Sequence, residues 1–180
     1  EAGLAFFYPE VCQICGNERA TADEGYLGQR CRSLPGAIRW VKPPYCGRCG
    51  LPFEGEITTT FQCSNCREME LCFQSARAAV LTSPLMLDII HRYKYKRALW
   101  FEPLLGGMLT QCAAPALAAD HWDMIVPVPL HPLKKRAREF NQAERLAAGL
   151  SKASGIPLNV RLLKRVQDTQ TQTMLTRQER

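Results

Sequence analysis

The chain has 180 residues, 46% of them hydrophobic, and 23 basic against 17 acidic side chains give it a net charge of +6. This is ordinary globular composition, and the length admits one medium domain beside a small one. No apolar run approaches the ~20 residues of a membrane helix; the best stretch, 103–119, is broken by Pro103, Gln111 and Pro115. Leu4, Phe6 and Phe7 lie near the start without a basic leader or a small-residue cleavage site, so export is not indicated and a cytoplasmic protein is expected. The chain begins at Glu1 rather than Met, which points to a clipped N-terminus. Charge is unevenly spread: residues 1–80 carry 8 basic and 9 acidic groups, whereas residues 81–180 carry 15 and 8. A polyanion should therefore meet the second half first.

Cysteine is the informative residue of the first half. Cys12/Cys15, Cys46/Cys49 and Cys63/Cys66 form three C-x2-C pairs, and Cys31 stands alone. Disulfides would need an oxidising compartment, so the pairs read instead as reduced metal-binding knuckles. Cys46, Cys49, Cys63 and Cys66 have the spacing of a four-cysteine zinc ribbon, whose thiolates close a tetrahedron about 2.3 Å from the ion. Gly50 follows Cys49 and suits a backbone that must bend around metal.

The first set is incomplete. Cys12, Cys15 and Cys31 supply three sulfurs, and position 28, where a fourth would fall, is glycine. Either a water or a carboxylate (Asp23 or Glu24) completes a second zinc site, or the site has decayed and is weakly filled. The expected zinc content is thus one firm ion and one doubtful one, both structural. Cys72 and Cys112 are expected as buried small hydrophobes.

Beyond the ribbons, residues 73–81 read as a strand. Ser83-Pro84 is a helix start, Ser as N-cap and Pro in the first turn. Met86, Ile89, Ile90 and Tyr93 then repeat on one face, while the other face runs into Arg92, Lys94, Lys96 and Arg97. A second helix is expected over about 102–113, weakened by Gly106-Gly107. Residues 124–130 read as a buried strand that must end at Pro127 and Pro129, which cannot donate to a ladder. That delivers residues 131–138, with Lys134, Lys135, Arg136 and Arg138, as a basic loop at a strand's C-terminal edge, where open α/β sheets bind ligands. Asn141 should cap a helix with the stripe Ala143, Leu146, Ala147 and Leu150, ending at Gly155, and residues 159–163 read as another strand. Strand, basic loop, helix, strand is the beginning of a parallel α/β domain.

Tandem knuckles, Ile125-Val-Pro-Val-Pro-Leu130, Arg136-x-Arg138-x-Phe140-Asn141-Gln142-Ala143, Leu163-x-Arg165, Thr169-x2-Gln172 and Arg180 together resemble the ComF family. The resemblance implies an α/β protein: a double zinc ribbon over 1–72, then the N-terminal part of a type I phosphoribosyltransferase-like domain over 73–180. Two departures stand out. Gly28 replaces a knuckle cysteine, and Glu139 stands where the family often has glycine. The family fold binds phosphoribosyl pyrophosphate with Mg2+ through adjacent acids and a Thr-Thr-Gly turn. Neither Asp-Asp nor Thr-Thr-Gly occurs in these 180 residues, which suggests a truncated member that is inactive as a transferase.

Three functions follow as expectations. Through the resemblance, the first is a DNA-uptake accessory that binds single-stranded DNA and a competence helicase. Lys134, Lys135, Arg136, Arg138, Arg92, Lys94, Lys96 and Arg97 would neutralise phosphates without reading sequence. Aromatic residues for base stacking are few there: Tyr93, Tyr95, Trp100, Phe101 and Phe140. The second is a phosphoribosyltransferase, in which residues 134–138 would clamp pyrophosphate. The third is a zinc-ribbon docking module. Oligomeric state is not legible.

Overall fold

The structure, a computed structural model, describes residues 10–55 and 61–169. The features at Leu4, Phe6, Phe7, Gln172 and Arg180 lie outside the described residues. The chain divides into two compact units, residues 1–121 and 122–180, and each is described by itself.

The first unit contains two knuckle-built ribbons with the same local plan. In each, a short hairpin carries a C-x2-C-G knuckle, and a one-turn helix carries the facing pair of positions. In the first ribbon, Val11 bridges Arg19 antiparallel and the Cys12 amide donates to the Glu18 carbonyl at 2.8 Å. Its helix, α1, is Gln29–Arg32. In the second, Tyr45 bridges Pro52 and the Cys46 amide donates to the Leu51 carbonyl at 2.8 Å. Its helix, α2, is Ser64–Glu68. Strands β1 (Arg39–Trp40) and β2 (Val80–Leu81) bracket the second ribbon, pairing antiparallel with Arg39 opposite Leu81 and Trp40 opposite Val80.

The expected strand over 73–81 is thus confined to its last two residues. The preceding backbone makes its hydrogen bonds to the second ribbon instead: the Ala76 amide donates to Arg48 at 2.7 Å, and Arg77 Nη1 donates to the Gly47 carbonyl at 2.9 Å. Cys72 is exposed, against expectation, because this segment runs over the ribbon surface; Cys112 is half-buried.

Helix α3 (Pro84–Tyr95) begins as the sequence dictates. Ser83 Oγ accepts from the Met86 amide at 3.2 Å, with Pro84 in the first turn. Its apolar face buries Met86, Ile89 and Tyr93. A 3-10 turn (Leu99–Phe101) leads into α4 (Glu102–Ala119). This helix outruns the expected end near 113 and holds Pro115 inside it. Proline there forfeits one backbone donor, but five alanines between 113 and 119, the best helix formers, favour continuation. The α3 and α4 faces close over the first ribbon in one cluster that includes Cys12, Leu27, Cys31, Met86, Ile89, Phe101, Leu104 and Met108. At about 1.5–3 kcal/mol for each fully buried large side chain, this cluster is the chief source of cohesion in the unit. Among the described residues, the second ribbon's apolar cluster consists of Cys46, Cys63 and Cys66, with Cys49, Phe61 and Leu71 against them.

Among the described residues of the second unit the regular elements are two helices, one expected and one where a loop was expected, and neither expected strand forms beyond a bridge. The 124–130 segment meets the chain just before the expected 159–163 strand at one parallel bridge, Ile125 to Leu158, with Asn159 N donating to the Ile125 carbonyl at 2.9 Å. Two local causes stop it there. Pro127 and Pro129 have no amide to offer. Asn159 Oδ1 accepts from the amides of Arg161 and Leu162, both at 3.0 Å, and turns the chain out of line. Residues 131–138 are not a loop: α5 (Pro132–Arg138) forms with Pro132 in its first turn. It ends at Glu139 in the left-handed region, φ 66°. Helix α6 (Gln142–Ser154) is capped as expected. Asn141 Oδ1 accepts from the Ala143 amide at 3.0 Å, Ala147 and Leu150 are buried, and Gly155 closes the helix at φ 75°. No helix among the described residues is long and apolar enough to cross a membrane.

Candidate metal centres and the basic surface

Cys46, Cys49, Cys63 and Cys66 converge with their sulfurs within 4.8 Å of one another. Cys46 Sγ lies 3.8 Å from Cys66 Sγ, and Cys49 Sγ lies 3.7 Å from Cys63 Sγ. These are far beyond a disulfide bond of about 2.05 Å. They match the edge of a tetrahedron, about 3.8 Å, for sulfurs about 2.3 Å from a zinc ion. The donor set fits zinc. Burial pushes the Cys46 thiol up, but the amides of Cys49, Cys63 and Arg48 donate to it and hold it at about 6. Burial and the neighbouring sulfurs push Cys66 to about 12. A divalent cation held by these four thiolates would relieve this crowding, with loss of the thiol protons.

Two glycine geometries support the knuckles. Gly16 and Gly50 follow the second cysteine of their pairs at φ 68° and 73°, each amide turning back to the first cysteine's carbonyl. Only glycine takes this conformation without cost. The second ribbon is further tied by Arg48, whose Nη2 donates to the Leu71 carbonyl at 2.6 Å and whose guanidinium lies 5.8 Å from the Phe73 ring centre. Arg77 lies likewise 5.0 Å from Tyr45.

The first cluster is completed by a residue that sequence reasoning passed over. Cys12, Cys15 and Cys31 gather with the Glu18 carboxylate, all four donor atoms within 4.8 Å. Neither acid singled out from the sequence takes that place. Glu24 accepts from the Thr21 amide at 2.8 Å, and Asp23 and Glu24 line a groove of about 410 Å³ with Arg32, Trp40 and Leu104. Glu18 Oε1 lies 3.7 Å from Cys15 Sγ. Its carboxyl sits below the usual range because the Arg30 amide, and then that of Cys31, donate to it. Burial pushes the Cys31 thiol up to about 12, whereas Cys12 is lowered by amide donors that outweigh its burial. Three thiolates and a carboxylate are ligands zinc accepts. Zinc there would hold the hairpin to α1, as at the second site.

The basic residues fall in both units. Arg92 is structural in part: it pairs with Asp88 at 2.8 Å and donates to the Gln13 carbonyl at 2.9 Å, joining α3 to the first knuckle. Lys94 is half-buried, and Lys96 and Arg97 are exposed. Of the aromatic residues nearby, Tyr93 and Phe101 are core, whereas Tyr95 and Trp100 are exposed. In the second unit, Lys134 bonds the Thr169 carbonyl and lies 3.6 Å from Asp168; Lys135 pairs with Glu144 at 3.2 Å. Arg138 reaches Gln142 at 3.2 Å, and Arg136 is exposed on α5. Such exposed pairs are worth about 0–1 kcal/mol each.

Comparison with known proteins agrees with the geometry. Residues 3–67 match the double zinc ribbon domain family. Over 142 residues the chain is 30% identical to "Competence protein F" of Haemophilus influenzae, a match covering 76% of this chain and 60% of that protein. The chain therefore spans less than two thirds of that relative's length. No solved structure matches it. Two convergent cysteine clusters on paired hairpins, matched by the ribbon family across both first knuckles, make residues 3–67 a double zinc ribbon domain, carried by a chain homologous to Competence protein F.

Proposed function

We propose that the protein is an accessory factor of DNA uptake in the cytoplasm, binding single-stranded DNA beside a helicase partner, with zinc holding the ribbon domain in shape. The observation that carries this reading is the 30% identity to a protein named for competence. Two further features support it. The positive charge gathers in the second half of the chain. Within residues 94–100, the exposed aromatics Tyr95 and Trp100 lie in the same stretch as Lys94, Lys96 and Arg97, the mixture that stacks bases while neutralising phosphates.

Fluorescence anisotropy with labelled oligonucleotides tests it. Binding should be sequence-independent and weaken with salt at a log–log slope of about −0.7 per phosphate neutralised. Charge reversal of Lys94, Lys96 and Arg97 should lower affinity and flatten the slope with zinc content unchanged. The same change at Lys134, Lys135, Arg136 and Arg138 tests α5. No binding at low salt would remove this reading.

The parallel contact of Ile125 with Leu158 across α6 favours a second reading. Such a contact would be the start of a crossover unit of the kind phosphoribosyltransferases use, and α5 would then face pyrophosphate. Saturable calorimetric binding of phosphoribosyl pyrophosphate with Mg2+, lost on charge reversal of α5, would favour the enzyme over the DNA binder.

A further inference from the structure

The two ribbons can be superposed residue by residue through their hydrogen bonds, and that comparison identifies what Gly28 is for. In the second ribbon the amide of Cys63 donates to Cys46 Sγ at 3.4 Å. The Arg67 amide donates to the Cys63 carbonyl at 3.2 Å, and in the first ribbon the Arg32 amide donates to the Gly28 carbonyl at 3.0 Å in the same way. Gly28 begins α1 at φ −69°, ψ 157°, and Cys63 begins α2 at φ −68°, ψ 158°. Gly28 is thus the positional equivalent of a zinc-binding cysteine. Its backbone is in an extended conformation open to any residue, so glycine is not needed there for the turn.

Glycine is needed for space. A Cβ at position 28 would lie 2.1 Å from Glu18 Cδ and 2.4 Å from Glu18 Oε1. The carboxylate therefore fills the volume a cysteine side chain would occupy. It also takes that cysteine's hydrogen bonds. In the knuckles beginning at Cys12 and Cys46, the amides two and three residues on (Ile14 and Cys15; Arg48 and Cys49) donate to the first sulfur. The corresponding amides after Gly28 are those of Arg30 and Cys31. They donate to Glu18, Arg30 to Oε2 at 2.8 Å and Cys31 to Oε1 at 3.1 Å. Glu18 reaches across from the hairpin position that Leu51 holds in the second ribbon, where four cysteines leave nothing for a side chain to supply.

We propose that Glu18 is the fourth ligand of the first zinc ion, forming a three-cysteine, one-carboxylate centre in which Gly28 and Glu18 together replace a single cysteine. The two residues are exclusive alternatives: a side chain at 28 expels the carboxylate. The carboxylate is a harder, more solvent-facing donor than a buried thiolate, so this ion should exchange with chelators faster than the one held by Cys46, Cys49, Cys63 and Cys66.

The experiment is a zinc and cobalt titration of the full chain and four variants, read by elemental analysis and by sulfur-to-cobalt charge-transfer absorption. The unmodified protein should hold two ions, with charge-transfer intensity for the seven cysteines of the two clusters. Glu18→Ala should lose the faster-exchanging ion. Gly28→Ala should lose it too, because the added methyl displaces the carboxylate and supplies no donor. Gly28→Cys and the double variant Glu18→Ala/Gly28→Cys should each hold two ions, with intensity raised to eight sulfurs and slower chelator exchange. Retention of both ions with an unchanged cobalt spectrum in Glu18→Ala would overturn the assignment. So would failure of Gly28→Cys to restore the ion lost in the Glu18→Ala background, a result that separates a missing ligand from a fold merely damaged by the first substitution.

Discussion

Gly16 and Gly50 make the same turn after the second cysteine of a knuckle, yet their surroundings differ. A Cβ on Gly16 meets nothing within 4 Å, whereas one on Gly50 would lie 2.7 Å from the Ala76 carbonyl oxygen. Gly16→Ala should therefore cost only the left-handed backbone conformation, about 1 kcal/mol. Gly50→Ala should cost clearly more, because backbone must shift. Thermal unfolding of the two variants at equal zinc loading checks the order; equal losses would show that the Ala76 segment yields freely. The same attention to Cβ space explains why Glu18 was not legible. Three acids, Glu18, Asp23 and Glu24, follow the first knuckle within a few residues, and nothing in their spacing separates them. The available signal was a pairing: a glycine at a ligand position and an acid on the facing hairpin strand.

At the scale of elements, the caps are the most transferable features between sequence and structure. Ser83 accepts from Met86 and also donates to the Ala37 carbonyl, so one buried hydroxyl starts α3 and fastens it to the first ribbon. Ser83→Ala should cost about 1–2 kcal/mol, read by denaturant unfolding, with the zinc stoichiometry intact. Glu139 is the opposite case: it closes α5 in a left-handed conformation that glycine adopts freely. Glu139→Gly should stabilise the second unit by up to about 1 kcal/mol, and a lower midpoint would mean that the glutamate side chain contributes more than its backbone costs. Elements set by nearest neighbours, such as α3 and α6, were legible. The expected strands were not, because pairing depends on partners distant in sequence. The segment before β2 bonds the second ribbon, and Asn159 turns the chain away just after its one bridge to Ile125.

Across the whole molecule the two ribbons differ in what holds them besides metal. The first shares its buried cysteines Cys12 and Cys31 with the α3–α4 core; among the described residues, the second clusters its own cysteines with two apolar neighbours, Phe61 and Leu71. Metal binding is folding free energy where no core substitutes for it. Complete chelation should therefore open the second ribbon while α3 and α4 keep their helicity. Trypsin should then cut at Arg48 and Arg67 before it cuts between 84 and 119. Simultaneous loss of helicity and both ribbons would show that the unit folds only as one body. This order is independent of which ion leaves first, since the second ion is held more tightly but its ribbon has less to fall back on.

The sequence by itself determined the knuckles, the helix caps and the concentration of positive charge, because each is written in residues a few positions apart or in a sum over many. It also carried enough linear order to place the chain beside Competence protein F. Tertiary structure decided which carboxylate joins Cys12, Cys15 and Cys31, and which aromatics in the basic stretch are exposed. It also decided that Arg92 serves the fold and that the basic segment after Pro132 is a helix. Those outcomes depend on what fills the space beside a missing Cβ and on which distant backbone groups remain to be bonded, and neither quantity exists until the chain has closed on itself.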